Sequence, residues 1–267
     1  EIGVRLVGSE MCIRDRNIPV RTPMGREIRR AFIAPAGSVL VDADYSQIEL
    51  RLLAHLSGDE AMCEAFTLGQ DIHARTAAEV YGVPLAEVTP QMRSSAKAVN
   101  FGIVYGISDF GLAENLHISR KEAAEFIARY FARYPAIHRF MEACVSQGKA
   151  EGYSVTMYGR RRPLPELSSP NYNRRQFGER AAMNTPIQGT AADIIKIAMV
   201  RVADALRREG LEAKLILQVH DELIVDAPKD EAERVSALLK NEMENAVRMQ
   251  VPLTVEVKTG RSWYETK

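Results

Sequence analysis

Three acidic residues stand where strands would present them. Asp44 follows the apolar run Ser38-Val39-Leu40-Val41, and Asp221 with Glu222 follows Leu215-Ile216-Leu217-Gln218-Val219. An acid at a strand's end is held rigidly, and two such strands side by side bring Asp44 and Asp221 together despite their distance in sequence. Two carboxylates at close range repel each other. A hard divalent cation relieves that repulsion, and Mg²⁺ uses one or two carboxylates plus substrate phosphates. Each acid taken alone is equally an ordinary strand terminus.

A second set recurs every four residues: Arg93, Lys97, Phe101 and Tyr105. In a helix each step turns by ~40°, so all four lie on one face ~120° wide. Cations occupy one end and aromatics the other. That order suits a nucleoside triphosphate, with phosphates on the cations and sugar and base against the rings. A solvated basic turn followed by core aromatics fits the same residues. Arg180, Asn184 and Gln188 repeat the spacing. They are donors able to reach the minor groove, where acceptors occur on both A·T and T·A pairs, or plain helix-surface polars. Upstream lie Arg160, Arg161, Arg162, Arg174 and Arg175, with Tyr158 and Tyr172 nearby. They suit backbone phosphates or a solvated loop. His220 adjoins Asp221, while His55, His73, His117 and His138 show no metal spacing with cysteines, so zinc is not expected. Neither a P-loop nor a dinucleotide fingerprint is present.

The elements that must position these groups are legible. Ile48, Leu52, Leu53 and Leu56 recur at helical spacing after the first strand. Helices are expected over Ile72 to Tyr81, from a Thr89-Pro90 start to about Tyr105, and over Ala191 to Arg208 with a stop near Gly210. Ser119-Arg120-Lys121-Glu122 is a capping box opening a helix that ends before Pro135. Leu215 to Asp226 reads as a hairpin with acids at its turn. Asp230-Glu231-Ala232-Glu233 is expected to cap a further helix, and Leu253 to Val257 to form a last strand. The class is mixed α/β, of the α+β kind, with an antiparallel sheet.

Composition sets bounds. The chain has 267 residues, room for one large domain or two small ones. Apolar residues are 46% and charged residues 26%, which excludes a disordered or collagen-like chain. No apolar run is long enough to span a membrane. Lys+Arg and Asp+Glu are 35 each, so a nucleic-acid binder of this composition works through a local basic cleft. Cys12, Cys63 and Cys144 show no pairing pattern, which suits a reducing, cytoplasmic setting. No secretory signal is visible. The first residue is Glu1, not Met, so the chain reads as a fragment.

DADYSQIELRLLAHLS (42–57), RSSAKAVNFGIVYG (93–106) and QVHDE (218–222) resemble the three polymerase motifs of family A DNA polymerases, the bacterial DNA polymerase I type. ERAAMNTPIQGTAADIIK (179–196) resembles the same family between the second and third motifs. The resemblance covers about residues 17–267. It implies a right-hand palm with an antiparallel sheet and helical fingers, the fingers inserted at approximately 62–170 and the thumb absent. By the same resemblance Asp44 and Asp221 match the two metal-binding aspartates for two Mg²⁺ ions, and Glu222 the accessory acid. Glu49 matches the side chain that blocks a ribose 2′-OH. Arg93 and Lys97 match triphosphate ligands, Lys97 also a general acid for pyrophosphate, and His73 a further phosphate contact. Phe101 and Tyr105 match residues packing on the incoming sugar and at the templating site, with Phe101 implying discrimination against dideoxynucleotides. Arg51, Arg180, Asn184, Gln188, Gln218 and His220 match positions near the primer terminus and nascent duplex.

The implied activity is template-dependent addition of dNTPs to a primer 3′-OH, with primer–template DNA as partner and the chain a monomer. Residues 1–16 depart from the family, with Asp15-Arg16 in place of the residues expected before Asn17-Ile18-Pro19, and read as a foreign segment. A thumb, any 3′–5′ exonuclease and a minor-groove arginine would lie upstream, so this chain is expected to act distributively or to be inactive alone. Two alternatives stand beside this: a non-catalytic nucleic-acid-binding remnant, and a single-subunit RNA polymerase. Glu49 and the His220-Asp221-Glu222 triplet argue against the RNA polymerase, and the set Asp44, Lys97 and Asp221 argues against decayed catalysis.

Overall fold

A computed structural model describes residues 23–266. The atypical N-terminal segment 1–16 and Cys12 lie outside the described residues. The described residues divide into two compact units, one made of 23–46, 194–248 and 253–266, the other of 47–193 and 249–252. The inserted unit is wider than the 62–170 stretch expected for fingers.

The first unit is a four-stranded antiparallel sheet with helices. Its strands β1 (Ser38–Tyr45), β4 (Lys214–Val219), β5 (Glu222–Pro228) and β6 (Val255–Gly260) take the order β4-β5-β1-β6. Alternation along β1 and β5 separates two faces. Val41, Ala43, Leu223, Val225 and Ala227 share the face on which the Tyr45 hydroxyl donates to the Met243 carbonyl (2.8 Å). That carbonyl belongs to helix α11 (Ala232–Glu244), which buries Val235, Leu239 and Met243. Leu40, Ile224 and Val219 pack on the other face against Ala34 and Trp263. Helix α1 (Pro23–Ile28) leads into β1, and helix α10 (Thr190–Arg208) contributes its residues from Ile194 onward. Arg201 of α10 ties to α11 through Glu242 (2.9 Å) and the Asn245 carbonyl (2.5 Å).

Two expectations shift here. The last strand runs Val255–Gly260, not from Leu253, because pairing with β1 starts at Val255 opposite Tyr45. Helix α11 starts after Glu231 without a side-chain cap. The Glu231 carboxylate instead accepts from the Glu212 and Ala213 amides (3.0 Å each), fixing the approach to β4.

The second unit is helical: α2 (Ile48–Ser57), α3 (Glu60–Thr67), α4 (Ile72–Tyr81), α5 (Pro90–Val104), α6 (Asp109–Leu116), α7 (Arg120–Arg133), α8 (Pro135–Glu151) and α9 (Tyr172–Asn184). A short hairpin, β2 (Tyr153–Val155) with β3 (Arg161–Pro163), lies between α8 and α9. Helix α2 is buried nearly all round, which marks it as central to its unit rather than a surface helix with one apolar stripe. Two capping signals hold: Thr89 caps α5 with Pro90 at the first position, and Ser119 with Glu122 forms the capping box of α7; Asp71, not singled out in the sequence, caps α4. Cys63 and Cys144 are free thiols. Among the described residues no helix is long and apolar enough to cross a membrane.

Candidate active site

The carboxylates of the first unit meet through β5. Asp44 lies inside β1, one residue before its end, because ladders to β5 and β6 on both sides override the weak strand preference of the acids. Its direct partner on β5 is Glu222, the first residue of that strand rather than part of the turn, and its partner on β6 is Glu256. Directly opposite residues share a face, so Glu222, Asp44 and Glu256 form an acidic row across three strands. Asp221 stands in the turn between β4 and β5, and its carbonyl accepts the Tyr45 amide (3.2 Å). The two-residue loop is His220-Asp221. His220 takes the first place with φ of 51°, where glycine is the usual occupant. Gln218 donates to the His220 carbonyl (2.6 Å) and so stiffens the turn.

Behind the row lies a buried cation that the sequence reading missed. Arg29 is 3% exposed, and its guanidinium sits 3.9 Å over the Trp263 ring. Burial lowers its pKa against the opposing pull of Glu222 and Asp42. Asp42, on the same face as Asp44, accepts the Thr266 hydroxyl (2.9 Å).

Among the described residues no group of three or more His, Cys, Asp or Glu is gathered as a ready-made metal cage. The donor set nonetheless fits Mg²⁺. Asp44, Asp221 and Glu222 supply only hard oxygen donors, and Mg²⁺ is ordinarily held by one or two carboxylates with water and substrate phosphates completing the shell.

The second unit carries the cation and aromatic set. Arg93 and Lys97 are exposed on α5, Phe101 is half-buried, and Tyr105 is exposed at the helix's C-terminal end. Arg93 pairs with Asp71 (2.7 Å). Burial pushes the Asp71 carboxyl up, but Arg93 and the amides of Ala74 and His73 outweigh it and leave it below the ordinary value. His73 is 2% exposed and 5.8 Å from the Phe101 ring. Burial drives its pKa down to about 4; Asp71 opposes this, and Arg93 and Lys97 reinforce it. His73 is therefore a neutral ring at pH 7, and any phosphate contact it makes is that of an N–H donor. Asn100, wholly buried, lies 3.1 Å from its Nδ1.

Glu49 accepts the Tyr105 hydroxyl (3.0 Å) and bonds the Gln188 side chain. Burial raises its pKa despite both bonds. The regular spacing of Arg180, Asn184 and Gln188 is broken. Helix α9 ends at Asn184, and Thr185–Gly189 is a π-helical turn containing Pro186. The wider turn advances Gln188 differently from an α-helix, and such turns recur at functional sites.

Arg51 is 8% exposed: its Nη1 donates to the Pro252 carbonyl (2.6 Å) and its guanidinium lies 4.7 Å from the Phe66 ring. The structure thus ties it to the Pro252 backbone and the Phe66 ring within its own unit. The arginine cluster is partly engaged. Arg160 pairs with the buried Asp193 (2.6 Å), which also accepts the Thr156 hydroxyl (2.8 Å). Arg161 covers the Tyr153 ring, Arg162 reaches Thr185 (3.4 Å), and Arg175 reaches the Ser169 carbonyl (3.1 Å). Arg174 and Tyr172 are exposed.

A family model described as DNA polymerase family A matches residues 15–265. DNA polymerase I of Caldicellulosiruptor bescii is 55% identical over 252 residues, covering 94% of this chain and 30% of that protein. DNA polymerase I of Bacillus caldotenax is 55% identical over 253 residues, covering 94% and 29%. The POL domain of Pol1 from M. smegmatis, solved in complex with DNA primer-template and dNTP, superposes with a TM-score of 0.90 at 46% identity. It covers 94% of this chain and 44% of that one. The chain thus spans about 30% of the length of the curated relatives it matches.

Proposed function

We propose, from the premise that this chain belongs to DNA polymerase family A, that it carries the nucleotidyl-transfer centre of a DNA-directed DNA polymerase. Primer–template DNA and dNTPs are its partners, and pyrophosphate is the product released. The first unit is the palm, and the stretch 62–170 of the second unit is the fingers. The observation that carries the reading is the β1–β5 register, which sets Asp44 opposite Glu222 and beside the Asp221 turn.

Asp44 and Asp221 hold two Mg²⁺ ions, with Glu222 as the accessory acid. When bound, the metals lower the pKa of the primer 3′-OH and stabilise the charged transition state, as two-metal sites of polymerases do. The remaining roles belong to side chains. Arg93 and Lys97 take the triphosphate by charge-assisted hydrogen bonds. Lys97 delivers a proton to the departing pyrophosphate, a contribution of ~10²–10⁴-fold in general acid catalysis. His73, neutral, donates one N–H to a phosphate oxygen. Phe101 packs on the sugar, and Glu49, held by Tyr105 and Gln188, excludes a 2′-OH. Tyr105 packs at the templating base. Arg180, Asn184, Gln188, Gln218 and His220 contact the primer terminus and nascent duplex. Arg51 acts there through the backbone it anchors at Pro252. A reducing, cytoplasmic setting accords with the free thiols Cys63 and Cys144.

Single-nucleotide primer extension by the purified chain, with Mg²⁺ and each dNTP in turn, tests the reading against Asp44→Asn. Templated addition abolished by the substitution is expected. DNA binding without any extension, even after an upstream segment of a family A polymerase is grafted on, would overturn it in favour of a non-catalytic nucleic-acid-binding chain.

A further inference from the structure

Helix α4 carries His73, Thr76 and Glu79 at intervals of three, on one face. Two buried side chains, Tyr134 and Asn100, join these into a single hydrogen-bonded line. The Tyr134 hydroxyl bonds Glu79 Oε2 (2.9 Å). It lies 3.4 Å from Thr76 Oγ1. Thr76 Oγ1 is 3.2 Å from Asn100 Nδ2, and Asn100 Nδ2 is 3.1 Å from His73 Nδ1. Thr76, Asn100 and Tyr134 are each wholly buried, so every proton in the line has to be placed within it.

The charged end of the line sets the direction of its first bond. Glu79 is bonded by Arg133 (2.8 Å) and Arg75 (3.2 Å). Burial pushes its carboxyl up, yet Arg133, Tyr134 and Arg75 hold it below the ordinary value. An ionised carboxylate only accepts. Tyr134 must therefore donate to Glu79, which leaves its oxygen to accept from Thr76. The Thr76 hydroxyl also has Asn100 Oδ1 as an acceptor, at 3.3 Å, and it accepts in turn from Asn100 Nδ2, so it touches both ends of that amide. The second Nδ2 proton of Asn100 then points to His73, whose Nδ1 can only accept. A neutral imidazole that accepts at Nδ1 carries its proton at Nε2.

From this geometry we infer that Asn100, held by Thr76, is a positioning residue that fixes His73 as the Nε2–H tautomer and so makes it a hydrogen-bond donor to a nucleotide phosphate. The step to phosphate rests on the role proposed above for His73. The tautomer itself does not. The opposite tautomer would turn a lone pair on an anionic oxygen. A protonated ring would place a third cation beside Arg93 and Lys97, both of which already disfavour it.

The test is nitrogen NMR on the chain labelled at its histidines, with His73→Gln identifying the His73 signals among those of the 5 histidines. The wild type is expected to show an unprotonated Nδ1 and a protonated Nε2. Asn100→Asp is nearly isosteric but accepts only, so Nδ1 is expected to gain a proton. Affinity for dATP with Mg²⁺ is expected to fall about five-fold in that variant, part of one hydrogen bond to a charged group.

A wild-type ring protonated at Nδ1 overturns the inference, and that measurement needs no variant to fold. An Asn100→Asp chain that keeps Nδ1 unprotonated also overturns it. His73→Ala separates the two layers. If it binds dATP like the wild type, the phosphate role of His73 fails while the tautomer result stands. If it weakens dATP and Asn100→Asp does not, the positioning role of Asn100 fails and the phosphate role stands.

Discussion

Acid should destabilise this chain through His73 in a calculable way. The unfolded ring protonates near its ordinary 6.5, whereas the folded ring stays neutral down to about 4. Between those values the unfolded state binds the extra proton, so stability rises with pH. The contribution is complete above 6.5 and is lost as pH falls toward 4. At ~1.4 kcal/mol per pKa unit the whole effect is about 3 kcal/mol, of which about 2 kcal/mol is already lost at pH 5. The groups that set it are the burial of the ring, Asp71 at the helix start, and Arg93 and Lys97 on α5. The assay is urea denaturation of the wild type and His73→Gln at a series of pH values from 7.5 to 5. Gln cannot take up the proton, so effects of all other groups cancel in the difference between the curves. The wild type's advantage over His73→Gln should shrink by about 2 kcal/mol across that range. Curves that stay parallel would show that the ring titrates near its ordinary value, and the argument from burial would be wrong.

Arg51→Met should cost about 1–2 kcal/mol in denaturation, because it removes the bond to the Pro252 carbonyl and the cation from the Phe66 ring. A loss below about 0.5 kcal/mol would mean the guanidinium is not held as described. Asp193→Asn breaks the Arg160 pair and weakens the Thr156 bond that anchors the β2–β3 hairpin. It should lower stability by about 2 kcal/mol, and a protease that clips loops should reach residues 157–160 faster; an unchanged cleavage rate would contradict the anchoring. Glu49→Ala should raise ribonucleotide incorporation relative to deoxyribonucleotide by about ten-fold or more, read from single-turnover extension. An unchanged ratio would show that Glu49 is not the sugar gate.

What could be read in advance follows from where the controlling forces lie. Helices α5 and α7 were legible because their starts are local: Thr89-Pro90 and the Ser119–Glu122 box satisfy amides within one turn. The meeting of Asp44 with the 221–222 acids was legible as an expectation. The strand that delivers it was not, since only the register shows β5 rather than β4 beside β1. The π-helical turn at Thr185–Gly189 left one trace, Pro186 inside an otherwise helical stretch, and an unbroken helical spacing was read across it. Three of the buried polar groups that were missed share one trait. Asn100 sits among Ala96, Val99, Ile103 and Val104, Thr76 beside Ala77 and Val80, and Asp42 between Val41 and Ala43. Each is a polar residue occupying a place that the apolar period assigns to the core, and burial there is costly unless a partner arrives from elsewhere in the chain. Such positions announce that a partner exists without naming it. For Asn100 the partners come from α4, three turns of chain and a loop away, and only the packing of α4 on α5 identifies His73 as the beneficiary.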